Sequence, residues 1–192
     1  MHPVNSLPSG VEVIPAMREQ QPVLANLLQL YIYDFSEFLD LATGPDGRFD
    51  YPWLPLYWQQ ETRFPFLVKV DGNLAGFVLV SKGSLISGNP EIWDMAEFFI
   101  MRKYRRRGIG AAIAHEIWRR FPGAWEVRVL ERNVAALPFW ETTIKAFAGT
   151  EVEAFSDEQG SKQRRVFSFV SAPAVDSGPV DDIQPEEKRG ES

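Results

Sequence analysis

The chain has no cysteine and only two histidines, His2 and His115, among its 192 residues. The first absence excludes disulfides, a thiolate nucleophile and any thiolate-held metal. The second leaves too few imidazoles for a histidine-rich centre, so no metal cofactor is expected. No apolar run approaches the roughly 18 residues of a membrane span, and no stretch has the pattern of a secretory leader; the expectation is a cytoplasmic protein with no membrane partner. Basic residues are outnumbered, with 20 Lys and Arg against 26 Asp and Glu and a formal charge of −6. An acidic balance argues against a nucleic-acid partner. No internal repeat is evident.

What is present fits one domain. Hydrophobic residues make up 45% of the chain, enough for a full core, and an aromatic content of 13% allows a lined pocket as well. After Val170 the composition turns to Ser, Pro, Gly and acids. Residues 171–192 carry Asp176, Asp181, Asp182, Glu186, Glu187 and Glu191 against Lys188 and Arg189, so this segment supplies −4 of the −6. The expected organisation is a flexible start over 1–10, a domain over 11–170 and a disordered acidic tail over 171–192.

The most informative stretch runs from Glu97 to Gly110: an apolar strand enters the basic turn Arg102-Lys103-Tyr104-Arg105-Arg106-Arg107, then Gly108-Ile109-Gly110 opens a helix. Glycine removes a side chain where backbone approaches a ligand or takes a positive φ. The helix that follows would aim its free N–H groups and positive dipole end at an anion in the turn. The spacing lacks the third glycine of a dinucleotide fingerprint, where Ile113 stands, and the Gly-Lys-Ser/Thr ending of a P-loop, where Ala111 and Ala112 stand. A solvated basic loop and a nucleic-acid patch are the competing readings, but one such run in an acidic chain fits a phosphate site better.

Periodicity supplies the frame. Val11 to Ile14 is β-rich, and Val23, Leu24, Leu27, Leu28, Tyr31 and Phe35 follow a helical period within 22–39. Strands at 64–70 and 74–80 flank Asp71-Gly72-Asn73, a hairpin signal. A strand over 92–101 feeds the glycine turn, a helix over 111–121 stops at Pro122-Gly123, and a strand covers 125–130. A helix after Asn133 carries Ala136, Leu137, Phe139 and Trp140. Two strands close the domain at about 149–155 and 163–170, joined by a turn over 156–161. With a second helix placed before 64, the order is β, α, α, β, β, β, α, β, α, β, β.

Arg105-x-x-Gly108-x-Gly110 in this order of elements resembles the GCN5-related N-acetyltransferase (GNAT) superfamily from residue 11 to about 170. The resemblance implies an α/β (α+β) fold whose central sheet is mixed, mostly antiparallel and splayed, with about six or seven strands and about four flanking helices. It implies acetyl-coenzyme A as cosubstrate, its pyrophosphate on the backbone from Arg105 through Arg106, Arg107, Gly108, Ile109 and Gly110 to Ala111. The pantetheine arm would run along Phe98, Phe99 and Ile100, with Asn133, Phe139 and Trp140 beside it. An acid near Glu97 often serves the superfamily as general base. A free amine is almost wholly protonated at pH 7, so a proton must be removed before attack; the other reading of Glu97 is pairing with an arginine or solvent.

The family pattern after Asn133 has tyrosine, a common thiolate acid, where this chain has Trp140, and indole cannot serve. Pro138 is expected to shift or kink that helix. Asn133 keeps two compatible readings, a helix cap and a pantetheine or substrate contact. In the superfamily the first helices line the acceptor pocket, which here points to Tyr31, Tyr33, Asp34, Glu37 and Tyr51, an aromatic and acidic set suited to a cation; the same residues also read as core and solvated faces. His115 reads as a helix residue rather than a catalytic one. Two functions follow: an N-acetyltransferase acting on a small-molecule or peptide amine by direct transfer, as a monomer or homodimer, or a noncatalytic acyl-coenzyme A binding module.

Overall fold

A computed structural model describes residues 7–149, 152–159 and 162–172. The expected tail from Pro173 onward lies outside the described residues. Within the span expected as a flexible start, Leu7 to Gly10 form a turn: Leu7 packs against the core and the Gly10 carbonyl accepts the Asp71 N–H at 2.8 Å.

Seven strands form one sheet in the order β1-β2-β3-β4-β5-β7-β6. They are β1 (Val11–Pro15), β2 (Arg63–Val70), β3 (Asn73–Lys82), β4 (Trp93–Ile100), β5 (Gly123–Leu130), β6 (Glu153–Gln159) and β7 (Lys162–Ser171). All neighbours are antiparallel except β4 and β5, which are parallel. Asp71 and Gly72 join β2 to β3 with φ of 50° and 75°, the two left-handed residues of a type I′ turn, whose twist matches that of the strands.

Three α-helices are described: α1 (Gln21–Phe35), α2 (Ile109–Arg120) and α3 (Ala136–Ala148). The fourth helix expected before β2 is a short 3-10 stretch, Leu54–Trp58. Pro45, Pro52 and Pro55 with Gly44 and Gly47 deny that segment continuous helical hydrogen bonding. Pro138 falls in the first turn of α3, where its missing N–H has no intrahelical partner, so it does not interrupt the helix as expected. Gly149, at φ 67°, caps α3 and delays β6 to Glu153, and the expected turn at 156–159 is strand paired with β7. β7 extends one residue past the expected boundary: Ser171 is buried, pairs with Gly123 and donates its hydroxyl to the Trp118 carbonyl at 2.6 Å.

Each face of the sheet has its own core. On one, Val78, Val80, Met95 and Ile100 pack with Ile113, Ile117, Trp118, Trp140 and Ile144 of α2 and α3. On the other, Leu67, Phe77, Leu79 and Phe99 meet Leu24, Leu27 and Leu28 of α1, with Leu54 and Tyr57. The sheet is thus covered on both faces about β4, the strand that carries the site.

Candidate active site

β4 and β5 pair only at Trp93–Trp125 and Asp94–Glu126. Beyond those pairs β4 continues against β3 alone, through Phe98 and Phe99 to Ile100, so a slot opens between the parallel strands. β4 is also irregular: Leu79 faces Glu97 while its neighbour Val80 faces Met95, leaving Ala96 as the extra residue of a bulge. The bulge resets the alternation of side chains. Asp94 and Glu97, whose odd spacing would put them on opposite faces, both lie on the α1 face. Phe98 falls on the other face, with ring centroids 6.2 Å from Phe139 and 5.0 Å from Trp140.

At the end of β4 the chain turns into α2. Gly108 caps the helix at φ 72°, and a Cβ there would meet nothing within 4 Å, so its glycine is explained by backbone conformation facing open space. Gly110 has the opposite reason, since a Cβ would sit 3.3 Å from Phe139, where α2 packs on α3. Arg106 also has a positive φ, 60°. The Ala112 N–H is bonded to the Gly108 carbonyl, and Ile109, Gly110 and Ala111 present first-turn N–H groups that have no partner inside the helix. The Arg105 N–H is not part of this set, because it bonds the Arg102 carbonyl at 3.2 Å. The Arg105 side chain turns back as well: Nε donates to the Ile100 carbonyl at 2.6 Å and Nη2 to Asp34 at 2.7 Å. Arg106 and Arg107 are exposed at the turn. An open slot leading to a glycine turn suits an extended phosphate-bearing ligand.

Glu97 stands at the lip of the slot. Tyr31 of α1 donates its hydroxyl to Oε2, and Tyr51, from the irregular segment 36–53, donates to Oε1 at 3.0 Å. Glu97 therefore meets neither an arginine nor bare solvent but two phenols. Burial pushes its carboxyl pKa up, and the two phenol hydrogen bonds and the charge of Arg128 only partly oppose this. Burial and the adjacent carboxylate push both phenols well above their ordinary value, so they stay protonated donors. The segment carrying Tyr51 is pinned where Gln29 exchanges two hydrogen bonds with the Phe49 backbone, at 2.7 and 3.0 Å.

Of the expected acceptor-side residues, Tyr31 and Tyr51 converge on Glu97. Tyr33 is 65% exposed and Glu37 is exposed; neither is brought there. Asp34 bonds Arg102 and Arg105, each at 2.7 Å, and these contacts outweigh burial to hold its carboxyl below its ordinary value. Asn133 lies at the start of α3, its Oδ1 accepting the Ala136 N–H at 3.3 Å, which is the cap reading. His115 is buried and its Nε2 lies 2.9 Å from the Thr143 carbonyl, in the core between α2 and α3.

Sequence reasoning passed over a buried polar group on the same face as Glu97. Arg128 of β5 reaches across to Asp94 of β4 with two hydrogen bonds, Nε at 3.0 Å and Nη2 at 2.7 Å. Glu126 is buried and accepts the Ser84 hydroxyl at 2.8 Å. The signal was available: Glu126 and Arg128 alternate with Trp125, Val127 and Val129 in a strand covered on both faces, where charges are out of place unless used.

Against known proteins, the sequence profile of the Acetyltransferase (GNAT) family matches residues 27–143, more than half of the chain. The chain belongs to the GNAT acetyltransferase family. No protein of curated function matches it. Among solved structures, it is similar to an acetyltransferase from Thermus thermophilus, with a TM-score of 0.61 at 15% identity over 83% of this chain and 96% of the other. It is also similar to spermidine N-acetyltransferase from Vibrio cholerae in complex with CoA and spermine, with a TM-score of 0.57 at 14% identity over 85% and 97%. A third likeness is to a ribosomal L7/L12 alpha-N-protein acetyltransferase in complex with coenzyme A, with a TM-score of 0.57 at 11% identity over 85% and 96%. At these identities the likeness is one of fold. This GNAT chain shares the seven-stranded mixed sheet, and no helix among its described residues is long and apolar enough to cross a membrane.

Proposed function

We propose that this protein transfers the acetyl group of acetyl-coenzyme A to a primary amine, on a small molecule or a peptide, by direct attack in a ternary complex. The observation that carries the reading is the placement of Glu97: a half-buried carboxyl with a raised pKa, fixed by Tyr31 and Tyr51 where the β4–β5 slot opens. The first-turn N–H groups of Ile109, Gly110 and Ala111 with the open face of Gly108 would hold the pyrophosphate, and Phe98, Phe139 and Trp140 would wall the pantetheine. Acetyl-coenzyme A supplies an activated thioester carbonyl, a ready target for a neutral amine.

Glu97 is the proton acceptor. Its raised pKa brings it closer to the working pH than an ordinary carboxylate, which favours transfer from an ammonium. The two phenols hold one carboxyl orientation, and each carboxylate oxygen keeps a further lone pair for the amine's proton. Asp34, neutralised by two arginines, is not the group that attracts the amine.

The test is incubation with acetyl-coenzyme A and a panel of primary amines and peptides while released thiol is measured. Turnover that saturates in one amine class supports the reading. Binding of acetyl-coenzyme A without turnover on any amine would overturn it in favour of a noncatalytic acyl-coenzyme A binding module, a role compatible with Trp140 in the acid's place.

A further inference from the structure

Acyl transfer leaves a negative sulfur, and the indole of Trp140 cannot protonate it. A second device for that charge lies on β5. The parallel pairing ends at Asp94–Glu126, and Arg128, two residues further along β5, reaches back over the parting strands to grip Asp94. The guanidinium therefore crosses the apex of the slot, on the same face as Glu97. Its side chain is 13% exposed and that of Asp94 1%. A buried ion pair of this kind is weak support for stability, since well-packed apolar side chains often serve as well. Asp94 occupies two of the five N–H donors of a guanidinium.

We propose that Arg128 stabilises the departing coenzyme A thiolate. This rests on the acetyltransferase reading above. The acceptor ammonium first gives one proton to Glu97, which passes it to water; as the neutral nitrogen then forms its bond to the carbonyl carbon, its second proton passes to Glu97 and the carbon–sulfur bond breaks. The electron pair of that bond stays on sulfur, facing the Arg128 charge until a proton from Glu97 or water neutralises it. Burial works against the charged guanidinium, but Asp94 raises its pKa above the ordinary value, so it is a permanent cation in a site of low polarity. The charged or titratable groups around it are Asp94 and Glu97 on β4, Glu126 on β5, Tyr31 on α1 and Arg164 on β7. Asp94 holds Arg128 in place, and Glu97 becomes neutral in the step that makes the thiolate, which removes its opposition when the sulfur charge appears.

The test is the titration of coenzyme A thiol bound to the protein, followed by the ultraviolet absorbance of the thiolate. Asp94→Asn is compared with the double variant Asp94→Asn/Arg128→Gln, both in a Glu97→Gln background so that this carboxylate does not oppose the thiolate. The double variant removes both ions of the pair and leaves Glu126 held by the Ser84 hydroxyl; it is expected to fold, as a cooperative melt will check. The bound thiol is expected to titrate at least about one pH unit higher in the double variant than in Asp94→Asn. With Glu97 restored, turnover in the double variant is expected to be lower by about 10²-fold or more than in Asp94→Asn, the size of a lost preorganised charge contact. Equal thiol titration in the two variants would show that Arg128 only partners Asp94, and the proposal would fall. Failure of coenzyme A to bind even the unaltered protein would instead overturn the acetyltransferase reading, and this proposal with it.

Discussion

Tyr31 and Glu97 meet hydroxyl to carboxylate across the interface of α1 and β4, from positions 66 residues apart in the chain. Tyr51 completes the arrangement from the segment between α1 and β2. The carboxyl is thus reached from two elements on the α1 side of the sheet, and its chemistry is coupled to their packing.

If Glu97 removes the acceptor proton, Glu97→Gln keeps the cosubstrate site and lowers turnover by about 10²- to 10⁴-fold. The deficit shrinks as pH rises and more amine is already neutral. The check is a pH–rate profile of both proteins with one identified acceptor; equal turnover at pH 7 would move the base role elsewhere.

Binding is tested at the turn. At 100 times its dissociation constant, acetyl-coenzyme A adds about 2.7 kcal/mol to the native state, a rise of roughly 5 to 11 °C in Tm at this size. In Gly108→Glu that rise is expected to vanish, since a carboxylate enters the open space before α2 and repels phosphate. Thermal melts with and without ligand decide it, and an undiminished shift in the variant would place the ligand elsewhere.

The Asp34 carboxyl pKa is lowered on folding, so its ion pairs contribute stability above its unfolded value of about 3.9, and the contribution is lost as pH falls through the lower folded value. Both arginines are substantially exposed, so Asp34→Asn is expected to cost less than about 1 kcal/mol at pH 7. Chemical denaturation at pH 7 and at about pH 2 should show the gap closing at acid. A gap that is constant with pH would mean that packing, not charge, is what was lost.

Ser171 is the last residue of β7. Truncation after Ala172 is expected to leave the melt unchanged, whereas truncation after Val170 removes the bond to the Trp118 carbonyl and the last pair with Gly123. The second loss is expected to be about 1 kcal/mol, a few degrees in Tm. A large drop on the first truncation would show that the terminal segment docks.

The parts legible in the sequence are those written in neighbouring residues. Asp71-Gly72 states its hairpin, and Gly108 its helix start, because each requirement is local. Tyr31 and Tyr33 read alike by composition, yet residues two apart point to nearly opposite sides of a helix. The stripe of Leu24, Leu27 and Leu28 continues to Tyr31 and excludes Tyr33. Asp34 departs from expectation for a different reason: its partners are Arg102 and Arg105, brought to it only by the packing of α1 beside the glycine turn. Nor does any periodicity announce Arg128 with Asp94, a contact between two strands that are parallel and far apart in the chain.

Ala96 makes the site sensitive to register as well as to composition. Drawing that residue into the ladder, with the pairing from Trp93 to Met95 kept, would restore strict alternation of β4 against β3. Glu97 would then swing to the α2–α3 face and Phe98 to the face of Tyr31. Every atom of the site would still be encoded, with the acid and the aromatic ring exchanged between the two sides of the sheet. A slip of one residue in strand pairing would thus take the site apart while leaving its acid, its phenols and its guanidinium in the sequence.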